Sequence, residues 1–191
     1  LNGEFIPNTE SWASVSVMES VENLNNDAYT IYYNTDNEQI NSLSANQSVS
    51  DSTQIQPGNI PRPTDQRVQF GLFFRDEMPR FEDFKVQLSL IYGTGLPYGP
   101  PGLDRYKDTL RTPSYKRVDI GFSKDFISEK KPANGKWSNI KGLSLYVEVF
   151  NLLGIQNTVN YQWIKDVNGI QFAVPNHLTG RRVNVKVKLR F

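Results

Sequence analysis

The chain has 191 residues, 38% of them hydrophobic, with 21 Lys and Arg against 20 Asp and Glu and a net charge of +1. That balance leaves no electrostatic footprint for nucleic acid or for an anionic membrane surface. No run approaches the roughly 18 consecutive apolar residues of a membrane helix, and the absence of cysteine removes disulfide scaffolds, thiolate metal sites and thiol nucleophiles.

Period-two alternation organises the chain, the pattern of a strand with one apolar and one polar face. Residues 1–6 read as the tail of one strand, and the short segment 7–10 as a turn. Ala13, Val15 and Val17 then alternate with Trp12, Ser14 and Ser16. Residues 23–66 form a long polar stretch rich in Asn, Ser, Asp and Gln with no sustained period. Val68, Phe70 and Leu72 alternate with Gln69, Gly71 and Phe73, and a short turn at 79–83 leads to Val86, Leu88 and Leu90 alternating with Lys85, Gln87 and Ser89. A second long connection, 94–114, carries Gly95, Pro97, Gly99, Pro100 and Pro101. Val118, Ile120 and Phe122 alternate with Arg117, Asp119, Gly121 and Ser123. After the medium connection 127–141, Leu143, Leu145, Val147 and Val149 open a β-rich segment that runs on to Trp163. At the end Val183, Val185, Val187, Leu189 and Phe191 alternate without exception with Arg182, Asn184, Lys186, Lys188 and Arg190. These readings predict antiparallel strands near 67–76, 84–93, 115–126, 142–163 and 180–191, seven strands in all counting one partial, in an open sheet. A strand as long as 142–163 would overshoot a bilayer core of about 30 Å, so its later half should project beyond it.

A soluble β-sandwich shows the same alternation. Three features favour an outer-membrane β-barrel instead. Connection lengths alternate short and long, aromatic residues (Trp12, Tyr92, Tyr115, Phe126, Tyr161, Trp163) collect near strand ends, and the sequence stops on Phe191 straight after its last strand. On that reading the apolar sets face lipid. The polar sets face the lumen, which places Arg67, Arg117, Asp119, Glu148, Lys186 and Lys188 inside. Short turns are periplasmic and long loops extracellular, with the C-terminus on the periplasmic side.

Candidate sites follow. Tyr98, Tyr106 and Trp163, with Tyr29, Tyr32 and Tyr33, could stack on a sugar or pack on an apolar ligand in the outer loops; loop aromatics equally serve to hold such loops together. Asn34, Asp36, Asn37 and Glu38 offer oxygen ligands but lack the spacing and glycine of a calcium loop. A Ser-His-Asp site would rest on the single histidine, His177, in a loop-like stretch. No carboxylate pair has a spacing that argues for acid-base work, so neither enzyme activity nor a cofactor or metal is expected.

The residues also carry a family resemblance. Ile60-Pro-Arg-Pro-Thr-Asp-Gln-Arg67, Gly93-Thr-Gly-Leu-Pro-Tyr-Gly-Pro-Pro101, Tyr115-Lys-Arg-Val-Asp-Ile-Gly-Phe-Ser-Lys124, Tyr146-Val-Glu-Val-Phe-Asn-Leu-Leu153 and Ala173-Val-Pro-Asn-His-Leu-Thr-Gly180 are similar to the last strands of TonB-dependent receptors of Bacteroidota. Phe191 with Leu189, Val187 and Val185 resembles the terminal signal by which such proteins are handed to the barrel-assembly machinery. The resemblance implies the C-terminal part, 1–191, of a membrane-spanning antiparallel β-barrel of about 22 strands in the bacterial outer membrane. It implies import of a scarce ligand driven through the TonB complex. Its partners would be a plug and the remaining strands, outer-membrane lipid and a surface lipoprotein. A first residue that is not Met, with no leader before it, fits a piece of a longer chain, since seven strands alone would leave two unpaired edges in hydrocarbon. Alternatives are an outer-membrane barrel with a scaffold or assembly role, and a soluble β-sandwich binding module.

Overall fold

The computed structural model of the chain describes residues 2–3, 10–41, 43–78, 81–101, 104–107 and 109–191. In chain order the strands are β1 (Asn2–Gly3), β2 (Glu10–Val17), β3 (Val21–Asn23), β4 (Tyr29–Asn34), β5 (Val49–Ile55), β6 (Asn59–Pro61), β7 (Val68–Met78), β8 (Phe81–Gly93), β9 (Pro97–Tyr98), β10 (Leu110–Arg111), β11 (Tyr115–Ile127), β12 (Gly142–Phe150), β13 (Thr158–Lys165), β14 (Gln171–His177) and β15 (Arg182–Arg190). One 3-10 turn spans Gly135–Trp137, and the described residues contain no α-helix.

Seven strands form one antiparallel sheet in the order β1-β2-β7-β8-β11-β12-β15. Each pairs with its sequential neighbour in the sheet, so the chain runs as a meander. Four of the expected strands lie within three residues of their expected bounds at either end. The long connections, 18–67, 94–114 and 151–181, join alternate strand pairs and therefore all leave the sheet at the same end. At the other end β7 stops at Met78 and β8 starts at Phe81, so most of the expected turn 79–83 is strand, with 79–80 outside the described residues. The expected turn at 7–10 also lies outside them, apart from Glu10, which opens β2.

The register separates two faces, although Asp76 and Lys124 fall on the mainly apolar one and Trp12 and Phe73 on the mainly polar one. One face carries the rows Ser11–Phe74–Leu88–Ile120–Val149–Val183, Ala13–Leu72–Leu90–Val118 and Val86–Phe122–Val147–Val185. The other carries Glu10–Arg75–Gln87–Gly121–Glu148–Asn184 and Glu77–Lys85–Ser123–Tyr146–Lys186. The apolar face is uncovered: Val183, Val185 and Val187 are 66%, 60% and 64% exposed, and among the described residues Ile60 is the one buried hydrophobic side chain. Among the described residues no second sheet is packed over that face as a sandwich would require.

Two expectations are corrected. The segment 142–163 is not one strand: Asn151, at φ 52°, and Gly154, at φ 67°, turn the chain between β12 and β13. An amide side chain tolerates this left-handed backbone because it can bond locally, and here Asn151 bonds the Ile155 backbone in both directions. Residues 23–66 are not irregular either, for β4 and β5 form a hairpin and β3 pairs with β6. The sequence signal there is faint because β5 is polar and almost wholly exposed, and the ladder is closed by backbone groups that any side chain permits.

Candidate functional site

The three long connections meet at one end of the sheet, and a carboxylate ties two of them together. Asp65 is fully buried. It accepts the Ser20 N–H at 2.8 Å and the Arg67 Nε at 2.8 Å, and it also bonds the Arg111 guanidinium. Arg111 in turn donates to the carbonyls of Asp65 and Gly95. The Ser20 amide foremost, then Arg111 and Arg67, hold the Asp65 carboxyl at about 2 against the opposing effect of burial. Arg67, an expected lumen residue, stands one residue before β7 and also pairs with Glu19 at 2.7 Å. Asp65 carried no sequence signal beyond its place in the 60–67 block.

Beside this network lies a cleft of about 520 Å³ lined from all three connections, by Pro61 and Pro63, by Leu96 to Pro101, and by Val159 to Tyr161 with Trp163. Gly95 makes the turn into it possible, since a Cβ there would lie 1.7 Å from the Thr112 carbonyl oxygen. Tyr98 stacks on Tyr161 with centroids 4.3 Å apart and planes 10° apart, and Trp163 stands 6.3 Å from Tyr98 at 40°. Burial pushes the Tyr98 hydroxyl up, reinforced by its hydrogen bond with Tyr161.

Of the three aromatic candidates the structure therefore brings Tyr98 and Trp163 together. Tyr106 does not line the cleft; it packs on Tyr29 at 5.9 Å, with the Lys107 ammonium over both rings. Tyr161 joins the cleft, although the sequence places it and Trp163 among the aromatics at strand ends. Both belong to the β13–β14 hairpin, outside the seven-stranded sheet, where they share one face with Ala173 and Pro175. Period two put Tyr161 and Trp163 on one face; what that face meets was not legible.

Arg117, Asp119, Glu148, Lys186 and Lys188 all lie on the polar face. Arg117 Nε contacts both Asp119 oxygens at 2.8 and 2.9 Å, and Asp119 accepts the Asn151 N–H at 2.7 Å. Glu148 accepts from Gln87 at 3.0 Å and from Asn184 at 3.1 Å, a ladder that spans four strands and passes over Gly121. The Lys186 ammonium sits 5.6 Å from the Tyr146 ring centre. Val185, Val187 and Leu189 lie on the apolar face of β15, and Phe191 follows it, 72% exposed.

The other candidates resolve into structural roles. Asn34, 1% exposed, accepts the Asp36 and Glu38 amides at 3.0 and 2.8 Å and so shapes the turn after β4. Among the described residues no three His, Cys, Asp or Glu side chains converge as metal ligands. His177 lies at the end of β14 rather than in a loop, its Nδ1 3.3 Å from the Thr158 hydroxyl. Asp119 and Glu148 are each engaged by other partners. No protein-family model matches the chain, and no curated protein or solved structure is similar enough to count as a match.

Proposed function

We propose that this chain is the C-terminal part of an outer-membrane β-barrel of the TonB-dependent receptor type, which imports a scarce ligand and is not an enzyme. The observation that carries the reading is the two-faced meander: seven strands, an open apolar face, a hydrogen-bonded polar face, and every long connection at one end. Burying a Val, Leu or Ile side chain is worth about 1.5–3 kcal/mol, so rows of them left in water forgo much of the stabilisation a sheet can draw on. Lipid supplies the missing apolar neighbour, and a plug and water suit the other face.

On this reading β1 and β15 pair with the remaining strands of the same barrel, because unpaired edge amides cannot persist in hydrocarbon. The long connections are extracellular and the end of β15 is periplasmic. Val185, Val187, Leu189 and Phe191 present the barrel-assembly machinery with its apolar repeat, and the TonB complex acts through a region upstream of these strands. A surface lipoprotein would meet the outer connections. A barrel with a scaffold role shares all of this except the plug.

The test is fractionation of cells expressing the complete gene. The protein should sediment with outer membranes, require detergent for extraction and migrate faster on gels before heating than after. Recovery in the aqueous fraction without detergent overturns the reading in favour of a soluble β-sheet module.

A further inference from the structure

The cleft between the three long connections has the size of a small-molecule site, and its chemistry narrows the ligand. Tyr98, Tyr161 and Trp163 bring aromatic rings to its lining, and Pro61, Pro63, Pro97, Pro100 and Pro101 bring ring C–H surface and no N–H donors. The charged and hydroxyl side chains around it have partners within the chain. Arg105 pairs with Glu22, and Asp104 with Lys107 at 3.1 Å. The Thr109 hydroxyl donates to the Arg105 carbonyl, and the Thr112 hydroxyl accepts the Leu96 N–H at 2.9 Å. Asn160 Oδ1 accepts from Asn176 at 2.8 Å, and the Tyr98 and Tyr161 rings stack on each other at 4.3 Å.

A ligand rich in hydroxyls would compete with these bonds for its partners, and burying a polar group without one is costly. A charged ligand would meet ion pairs that already cancel. A flat, uncharged aromatic ring that carries no O–H or N–H donor loses less on leaving water and gains stacking on Trp163 and contact with the proline rings.

We propose that this cleft binds an uncharged, planar aromatic ring without O–H or N–H donors and discriminates against both sugars and anions. As the ligand of the transport reading it rests on that reading; as a binding site it stands on the cleft alone.

The experiment titrates the complete protein, in detergent or in aqueous buffer as fractionation dictates, with three probes followed by ligand-observed NMR: caffeine, benzoate and maltose. Caffeine should bind saturably, with benzoate and maltose at least about tenfold weaker. Trp163→Ala should weaken caffeine by about tenfold, the scale of one stacked ring, whereas Trp163→Phe, which keeps a ring, should retain most of the affinity. Should Trp163→Ala fail to fold, protein labelled with 5-fluorotryptophan decides: the fluorine resonance missing from Trp163→Phe should shift with caffeine and not with maltose. Maltose binding as tightly as caffeine, benzoate equal to caffeine, or no saturable probe overturns the proposal. So does a Trp163 resonance that ignores caffeine. Fractionation and titration fail separately: an aqueous protein that binds caffeine leaves the cleft standing, and a membrane protein that binds no probe leaves the barrel standing.

Discussion

The side-chain carboxamide of Asn157 takes the place of a strand beside Lys116: the Lys116 N–H donates to Asn157 Oδ1 at 2.8 Å, and Asn157 Nδ2 donates to the Lys116 carbonyl at 2.9 Å. The β11–β12 ladder reaches Ile120↔Val149, then Leu152 bonds the Val118 carbonyl, and Asn157 completes the row after the chain has turned away. Asn157 is 4% exposed, so water does not readily substitute. Asn157→Leu should cost about 1–3 kcal/mol, the penalty of leaving such groups unpaired. Chemical denaturation measures the cost, and hydrogen exchange should show the Lys116 amide losing its protection.

Gly121 is required by the ladder that passes over it. A Cβ there would lie 2.7 Å from Gln87 Cγ and 2.8 Å from its Nε2, and that nitrogen holds Glu148 at 3.0 Å. Gly121→Ala should displace Gln87 and cost about 1–2 kcal/mol. In a Gln87→Ala background the same substitution should cost nearly nothing, and a double-mutant cycle reads the coupling. Equal costs in the two backgrounds would separate the glycine from the ladder.

Gly95→Ala acts on backbone instead. Its Cβ would overlap the Thr112 carbonyl, 1.7 Å away, and the 94–96 and 112 segments are bonded to one another by Thr112 N–H to the Leu96 carbonyl at 2.9 Å. A flexible side chain could give way; a carbonyl in a hairpin cannot. The expected outcome is an opened β9–β10 hairpin, seen as faster proteolysis between residues 97 and 111. Gly180→Ala, where nothing lies within 4 Å, should leave cleavage unchanged.

Asp65 sets an acid limit on the rim network. Its carboxyl is held at about 2 against an ordinary 3.8, so the unfolded chain takes up a proton at a pH where the folded one does not. The stabilisation is therefore complete above about pH 4 and lost as the pH falls towards 2. Hydrogen exchange at the Ser20 amide, followed across that range, should accelerate in step. In Asp65→Asn the pH dependence should vanish, and persistence of the same acid transition would assign it to another group.

Val187 and Lys186 separate the two faces of β15. Val187 pairs with Leu145 on the apolar face, and Lys186 with Tyr146 on the polar one. In the complete barrel, Val187→Arg should cost about 2–4 kcal/mol near the bilayer midplane and less towards an interface. Lys186→Gln should cost under about 1 kcal/mol, the usual scale for a solvated charge. Reversible unfolding in lipid or heat-modifiable gel mobility checks both. Equal tolerance at the two positions would mean that neither face meets lipid.

The alternation from Arg182 to Arg190 and from Arg117 to Ser123 determined strand and face, because the pleat sends successive side chains to opposite sides whatever the neighbours are. Connection lengths likewise placed the two long segments 23–66 and 94–114 at one end, whereas the third, 151–181, emerged only with the structure. Tertiary structure alone decided the rest. Whether 142–163 ran straight depended on Asn151 finding both a left-handed turn and the Asp119 carboxylate. Tyr98 meets Tyr161 and Trp163, while Tyr106 meets Tyr29, through packing among connections that no local period encodes. Asp65 became the centre of the rim because Arg111 arrives from 46 residues away. Local pattern is written in adjacent residues; the pairing of distant ones is set by register and loop packing, which depend on the whole sheet at once.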